Sequence, residues 1–318
     1  MDVVLEHLDR LNLRSEKAPV LPYSERSECS ERSERYAPTL DALRRALSTD
    51  YVVWLLDLRQ LNADAAREGL AYLEEATLER LRRYHHPERF VESLGARLLA
   101  TLAARLTHTA LCEDPPYGPV LLDSEAPTGQ PRLRYLSVSH THQVAAIAIA
   151  PLAGERVGLD IEWERPRERA SDILEHILPE AVVERIRTHV PHDSPGFQTL
   201  FYRAWCESEA LIKLNRGAST FTLVASLPNA FSSSSVSASA PSTTIATALS
   251  AGSLSASRPW DAVRLDDQRH VPVVFRHPAL GLAMALLGEG ASLEPLTLTT
   301  WDVAGLLARL RETTHENG

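Results

Sequence analysis

The most restrictive feature of this 318-residue sequence is an uncharged stretch from Gly217 to Ser257, in which serine, alanine and threonine dominate. Its central part, "FSSSSVSASAPSTT", has too few large apolar residues to repay the entropy that is lost when a chain becomes ordered. We therefore predict a flexible insertion at about residues 228–258. The folded core must be built from the sequence on either side of this insertion.

Strand-like and helix-like patterns alternate on both sides of the insertion. Apolar, β-branched runs predict strands at 50–58, 156–164 and within 134–151, where "SHTHQ" is the predicted turn of a strand pair. Helical patterns cover 66–106, with an interruption at Pro87, and then 170–190 and 195–215. After the insertion, a strand pair at 270–277 and 281–288 precedes a closing strand and helix.

Two segments, "SHTHQVAAIAIAP" and "RHPALGLAMALLG", echo each other, because each places a histidine before an apolar strand of small residues. Two α+β halves of similar order that meet at a cleft would explain this echo. The predicted division is a peripheral polar tail at 1–38, an N-terminal half at 39–155 and a C-terminal half at 156–318. Within the tail, "SERSECSERSER" at 24–35 is either a charged low-complexity segment or a transcription artefact.

Composition excludes several classes of function. A formal net charge of −9 argues against non-specific binding of nucleic acid. No apolar run approaches the ~18–20 residues of a membrane span. The three cysteines are far apart, which argues against a disulfide framework or a zinc site. The N-terminus has acids where a signal peptide would be basic. We therefore expect a cytoplasmic protein without nucleic-acid or membrane partners.

Carboxylates follow a recognisable spacing in the middle of the chain. In "VGLDIEWE", Asp160 and Glu162 leave the same face of a predicted strand. Such a pair is either a solvated strand end or a site for Mg²⁺, which prefers oxygen ligands. In "AWCESEALIK", Glu209 and Lys213 lie one helical turn apart, either as a surface ion pair or as part of the same site.

Groups that suit phosphate oxygens occur upstream. "LSVSHTHQ" brings the hydroxyl of Ser139 beside the imidazole of His140, and both can bind phosphate. The helical segment 79–99 carries several arginines, whose planar guanidinium groups also suit phosphates. Most of these arginines must nevertheless lie on the solvated face of the helix.

The order and spacing of these elements are more specific than any one of them. "SVSH", then "VGLDIE" about twenty residues later, then "FYRAWCESEALIK" with Glu209 forty-nine residues after Asp160 resemble the Sfp-type 4′-phosphopantetheinyl transferases. The resemblance covers about residues 50–300, without the insertion. It implies an α+β fold with a pseudo-twofold arrangement of two similar α/β halves and an active site in the cleft between them.

The resemblance also implies an activity, that of a holo-[acyl-carrier-protein] synthase. Such enzymes move the 4′-phosphopantetheine arm of coenzyme A to a serine of an acyl, peptidyl or aryl carrier protein and release 3′,5′-ADP. The implied cofactor is Mg²⁺, the substrate is coenzyme A, the partner is a carrier protein, and the chain is expected to be a monomer. Fatty-acid, polyketide and non-ribosomal peptide carriers all remain open.

Residue roles follow from the resemblance position by position. The implied metal ligands are Asp160, Glu162 and Glu209. The implied catalytic residues are Glu209, as the candidate base for the carrier serine, Lys213, which binds phosphate and stabilises the leaving group, and His140. The implied coenzyme contacts are Arg80, Ser93, Ser139, His140 and Lys213. Trp205 is expected to pack in the wall of the cleft.

Two positions depart from the family pattern, because Ser208 and Gln130 stand where a lysine is expected. Arg132 or Arg134 could supply the missing charge. One alternative is a catalytically degenerate homologue that binds coenzyme A or a carrier protein without transfer. Another is a different magnesium-dependent phosphoryl enzyme, although the sequence contains no glycine-rich phosphate loop.

Overall fold

The structure is a computed structural model, and it describes part of the chain. The described residues are 38–114, 118–123, 132–151, 155–178, 180–192, 194–215, 263–264, 273–277, 280–288, 293 and 295–316. The predicted insertion at 228–258, the segment 24–35 and Gln130 lie outside the described residues, as does the tail at 1–38 except for its last residue.

Helices and strands alternate through the described residues, which gives the α+β class that the sequence predicted. The helices are α1 (Leu40–Thr49), α2 (Ala63–Leu70), α3 (Glu75–Leu81), α4 (Pro87–Leu106), α5 (Ala170–Ile177), α6 (Glu180–His189), α7 (Pro195–Leu214) and α8 (Val303–Glu316). The strands are β1 (Tyr51–Asp57), β2 (Ala110–Asp114), β3 (Gly118–Asp123), β4 (Arg132–Thr141), β5 (Val144–Ile149), β6 (Val157–Trp163), β7 (Val263–Arg264), β8 (Val273–His277), β9 (Leu282–Gly288) and β10 (Leu296–Asp302).

The chain divides into two compact units. The first comprises Met1–Gly154 together with Glu294–Gly318, and the second comprises Glu155–Leu293. The C-terminal segment therefore belongs to the first unit, whereas the sequence analysis placed it in the second half. The reason is a long-range pairing, because β10 joins β1 as its parallel neighbour. Trp54 of β1 and Trp301 of β10 also pack edge to face, with ring centroids 5.9 Å apart.

The first unit is built on a sheet with the strand order β10-β1-β5-β4-β3-β2. Strand β1 is a run of β-branched and large apolar residues, and its first six residues are buried. Helix α4 packs against β1, β4 and β5 and is itself buried along almost its whole length. Because Pro87 is in the first turn of α4, where its missing N–H costs nothing, it starts a helix instead of interrupting one.

The hairpin between β4 and β5 is tighter than the sequence predicted. Ser139 pairs with Ala146 and His140 with Ala145, so both residues lie on the strand and not in a turn. The turn consists of His142 and Gln143, which adopt φ values of 45° and 60°. Two consecutive left-handed residues are what a two-residue hairpin turn requires. The predicted turn "SHTHQ" was therefore too long.

Arg134 has a structural role in the first unit. Its Nη2 atom donates to the backbone carbonyls of Leu47, Ala150 and Pro151, with the last two at 2.9 and 3.2 Å. Burial lowers the pKa of this guanidinium. The two hydrogens of Nη2 are shared among three carbonyls, so this atom is engaged within the fold.

Replacing Arg134 should therefore change stability. We expect Arg134→Met to lower the free energy of unfolding by about 2 kcal/mol or more, because buried carbonyls lose their donor. The measurement is urea unfolding followed by the fluorescence of the first unit's tryptophans. Arg132→Met, at the exposed neighbouring arginine of the same strand, is the matched control and should cost little. Equal stabilities of the two variants would contradict this role.

The second unit has a smaller sheet with the order β6-β9-β8-β7, in which all neighbours are antiparallel. The predicted strands at 156–164 and at 270–277 and 281–288 are confirmed as β6, β8 and β9. Helix α7 packs on β6 and β9 and contributes its own residues Phe197, Phe201 and Tyr202 to the core. The predicted helix at 170–190 is two helices, because Leu178 precedes a proline and is extended.

The two units share a topology. In each, the first strand pairs antiparallel with the second strand of a hairpin, β1 with β5 and β6 with β9. In each, a 20-residue helix with proline in its first turn packs on that pair. The two echoing sequence segments correspond to the β4–β5 and β8–β9 hairpins. In each unit, the echoing segment therefore lies in the hairpin that pairs with the first strand.

Candidate active site

A glycine allows the helix and the strand that carry the acidic residues to meet. A Cβ atom on Gly158 would lie 1.9 Å from the carbonyl oxygen of Ala210 and 2.9 Å from the backbone nitrogen of Leu214. Only glycine permits this approach of α7 to β6. Because Asp160 follows Gly158 by two residues and Glu209 precedes Ala210, the contact places both acids in the same region of the second unit.

Lys213 of α7 reaches across to β6. Its Nζ atom donates to Oδ1 of Asp160 at 2.7 Å and to the carbonyl of Leu159 at 3.1 Å. Asp160 is buried, and its side chain is 8 % exposed against 29 % for Lys213. The lysine thus pairs with the strand carboxylate and not with Glu209 one turn before it. The simple surface ion pair within the helix is therefore not what the structure contains.

Both oxygens of Glu162 accept hydrogen bonds from the protein. The indole N–H of Trp205 donates to Oε1 at 3.1 Å, and Nη2 of Arg167 donates to Oε2 at 3.1 Å. Trp205 was expected only as packing, so its polar contact is an addition to the predicted site. Arg167 was not identified from the sequence, where "ERPRER" gives no sign of which arginine turns toward the acids.

Arg167 is held in place before any ligand arrives. Its Nε atom donates to the hydroxyl of Tyr202 at 3.2 Å, and that hydroxyl donates to the carbonyl of Arg165 at 2.7 Å. The guanidinium also lies over the rings of Phe201 and Tyr202, at 6.0 and 5.6 Å from the centroids. Arg167 is therefore a preorganised cation beside Glu162.

Electrostatics confirms that the acids influence one another. Burial and then the charge of Asp160 raise the pKa of Glu162, against the opposing effects of Arg167 and Lys213. Burial and then Asp160 likewise raise the pKa of Glu209, and Glu162 adds to the effect while Lys213 opposes it. Three carboxylates therefore share a region that favours additional positive charge. Among the described residues, no group of three or more His, Cys, Asp and Glu side chains has an arrangement suited to a metal ion.

The raised pKa of Glu209 makes stability depend on pH. A carboxyl with a raised folded-state pKa contributes stability at low pH that is lost as the pH rises through that value. In the presence of a chelator, the free energy of unfolding should therefore decrease from pH 4.5, near the ordinary value, toward neutrality. Glu209→Gln should reduce this decrease in urea titrations at several pH values. Glu184→Gln, at an exposed glutamate of α6, should leave it unchanged; an equal decrease in both variants would contradict the assignment.

In the first unit, His140 meets a glutamate that the sequence did not single out. Nδ1 of His140 lies 2.9 Å from Oε2 of Glu92, a buried residue of α4. The backbone N–H of Gln143 donates to the other carboxylate oxygen at 3.1 Å. Arg89 lies nearby, with Nη1 3.1 Å from Nδ1 of His140. In the sequence, Glu92 stands out only as a charged residue between apolar and small neighbours in "FVESLG".

The other residues predicted to contact the coenzyme are either paired with an acid or buried. Arg80 pairs with Glu113 at 3.3 Å, and Arg97 makes a two-point contact with the same carboxylate at 3.1 and 3.2 Å. Ser93 is fully buried in α4, and Ser139 is buried on β4. The structure thus brings His140 together with Glu92, while Ser139, the residue before it on β4, points to the opposite face of the strand. In the described residues, Arg80 is committed to an ion pair that the sequence did not predict.

Ser208 is buried on α7, so this position supplies no cation in place of the expected lysine.

No protein-family model matches the chain, and comparison with curated proteins finds no significant match. Within the described part of the chain, no helix has the length and apolar character that crossing a membrane would require.

Proposed function

We propose that this protein transfers the 4′-phosphopantetheine arm of coenzyme A to a serine of a carrier protein. The observation that carries the proposal is the set of four side chains in the second unit, Asp160, Glu162, Glu209 and Lys213. They come from β6 and α7, are linked by an ion pair of 2.7 Å and by mutual effects on pKa, and follow the order of the family motif.

The donor atoms, though not their arrangement in this structure, suit the magnesium ion that the resemblance implies. Asp160, Glu162 and Glu209 offer only oxygen atoms, which is the donor chemistry that Mg²⁺ prefers. Burial is the largest cause of the raised pKa values of Glu162 and Glu209, and the negative charge of Asp160 adds to it. When bound, Mg²⁺ would supply charge neutralisation for the pyrophosphate of coenzyme A.

Lys213 would bind and stabilise the departing phosphate. Its ammonium has three donor hydrogens, and two of them are occupied by Asp160 and the carbonyl of Leu159. The remaining donor, on a side chain that is partly exposed, is available to a phosphate oxygen. Asp160 fixes the ammonium from behind, so the positive charge is positioned before the reaction begins.

Glu209 would accept the proton of the carrier serine, directly or through a water molecule. Its pKa is raised by burial and by Asp160, which makes its carboxylate a stronger base than an exposed glutamate. Trp205 and Arg167 hold Glu162 from both sides, which keeps the neighbouring acid in a fixed orientation.

The proposal assigns coenzyme contacts to the first unit as well, at Arg80, Ser93, Ser139 and His140. It also includes two halves of similar topology, and the matching order of strands and helices in the two units supports this part. Arg80 would have to share its guanidinium between Glu113 and a phosphate. Arg167 is a better candidate than Arg132 or Arg134 for part of the positive charge that Ser208 does not provide.

A degenerate homologue that binds coenzyme A without transfer is the second candidate. Ser208 favours it, because a buried hydroxyl stands where the family pattern has a cation. The intact set of three carboxylates and Lys213 favours the transferase, since binding alone does not require a base.

The test of the proposal is release of 3′,5′-ADP, measured by chromatography. The protein is incubated with coenzyme A, Mg²⁺ and an apo carrier protein, and the matched control is the same carrier with its acceptor serine changed to alanine. Release that requires the serine supports a transferase. Coenzyme A binding without release, across fatty-acid, polyketide and peptide carriers, would favour the degenerate homologue.

A further inference from the structure

The contact between Glu92 and His140 is a hydrogen bond whose proton can be assigned to one of the two groups. Burial alone would raise the pKa of Glu92, but His140, the N–H of Gln143 and Arg89 outweigh it, so the pKa is lowered. An ionised carboxylate has no hydrogen to donate. The proton in the 2.9 Å contact with Nδ1 therefore belongs to His140. Arg89 cannot donate to the same nitrogen, and its 3.7 Å approach to Oε2 of Glu92 is an electrostatic one.

The backbone holds Glu92 in this position. The N–H of Gln143 points at Oε1 of Glu92 because the hairpin turn gives Gln143 a left-handed conformation. His140 is two residues before this turn, on β4, where pairing with Ala145 fixes its backbone. One carboxylate therefore bridges the turn and the imidazole. Among the described residues, Nε2 of His140 has no hydrogen-bond partner.

We propose that Glu92 is a positioning residue that turns Nδ1 of His140 inward and leaves Nε2 as the atom that meets a phosphate group. The negative charge of Glu92 does not prevent an anionic ligand from binding nearby. It is balanced by Arg89 and by His140, whose ring is cationic when both nitrogens carry a proton. Oriented in this way, His140 binds an anionic ligand without first losing side-chain freedom. The carboxylate acts through the histidine and does not itself touch the ligand.

The proposal rests on the proposed function, which makes coenzyme A the ligand. The family resemblance implies that the group at His140 is the 3′-phosphate of the coenzyme. Glu92→Gln is the informative variant, because it keeps the size of the side chain. The amide oxygen can accept from Gln143, and the amide NH₂ then faces Nδ1. That arrangement requires a lone pair on Nδ1, so the proton of a neutral ring must move to Nε2.

The first experiment determines which ring nitrogen of His140 carries the proton in the protein without ligand. Nitrogen-15 spectra of the neutral His140 ring should place the proton on Nδ1 in the wild type and on Nε2 in Glu92→Gln. His140→Ala identifies the signal. The same tautomer in both proteins would overturn the proposal, whatever the protein's activity.

The second experiment measures affinity by calorimetry for coenzyme A and for dephospho-coenzyme A, which lacks the 3′-phosphate. Glu92→Gln should weaken binding of coenzyme A about tenfold, because the amide disfavours a ring protonated on both nitrogens and leaves only a neutral Nε2–H donor for the phosphate. Binding of dephospho-coenzyme A should not change. Glu68→Gln, at a glutamate of α2 that pairs with Arg311, is the matched control and should bind both ligands as the wild type does.

The two experiments separate this proposal from the proposed function. An equal loss for both ligands in Glu92→Gln would mean a structural role only and would overturn the positioning role. No loss for either ligand would overturn it too. If the wild type binds neither ligand, the proposed function fails, and the spectra alone decide whether Glu92 fixes the proton on His140.

Discussion

We expect Asp160→Asn to lower the proposed rate of carrier modification by about a hundredfold to a thousandfold, the usual cost of losing one preorganised charged contact in an active site. The substitution keeps the shape of the side chain but removes the negative charge that Lys213 contacts at 2.7 Å. It also removes one of the three proposed metal ligands. The measurement is the initial rate of phosphopantetheine transfer at saturating coenzyme A and Mg²⁺, with circular dichroism to verify the fold.

Asp172→Asn is the control for this prediction. Asp172 is an exposed acid of the second unit that pairs with Arg169 on the surface, so its loss should leave the rate unchanged. Glu209→Gln should behave like Asp160→Asn, because it removes the proposed base. If the Asp160 and Glu209 variants both kept most of the wild-type rate, the assignment of these acids to the active site would be wrong.

Gly158→Ala destabilises the second unit by about 3 kcal/mol or more, at the upper end of the cost of overpacking. The new Cβ atom would lie 1.9 Å from the carbonyl oxygen of Ala210 and 2.9 Å from two further backbone atoms. Backbone atoms cannot rotate away as a side chain does, so α7 has to move from β6. That movement separates Lys213 from Asp160, and transfer activity should fall together with stability.

The measurement is urea unfolding followed by tryptophan fluorescence, with the two units fitted as separate transitions. Gly196→Ala on the same helix is the matched control, since the nearest atoms to its new Cβ would be 3.7 and 3.8 Å away. That variant should be as stable as the wild type or slightly more stable, because alanine favours a helix. If the Gly158 variant were as stable as the Gly196 variant, α7 and β6 could not be as close at Gly158 as described.

Local pattern was sufficient to predict most of the strands and helices. The apolar runs of β1 and β6 and the helical pattern of α7 are continuous in sequence, so periodicity reveals them. The acids of the candidate site were selected through the order and spacing that resemble the transferase motif, because neither the strand pair nor the helix is specific by itself. Their proximity depends on Gly158, where the absence of a side chain lets α7 approach β6.

Contacts between distant segments were not predictable in the same way. The pairing of β10 with β1 joins residues more than two hundred positions apart, and neither strand carries a signal for its partner. Arg167 and Glu92 were missed because charged residues near a strand end or within a helix usually face solvent. Arg134 was considered as a phosphate ligand, although its three carbonyl contacts become visible only when the hairpin and α1 are folded.

Intact-mass spectrometry of an apo carrier protein tests the central claim most directly. The carrier is incubated with this protein, coenzyme A and Mg²⁺, in parallel with the Asp160→Asn protein and with a sample that contains EDTA. We predict that the carrier gains the mass of one phosphopantetheine group with the wild type, and that this gain is lost in both other samples. An unchanged mass for every class of carrier, with a wild-type protein that is folded and binds coenzyme A, would contradict the transferase.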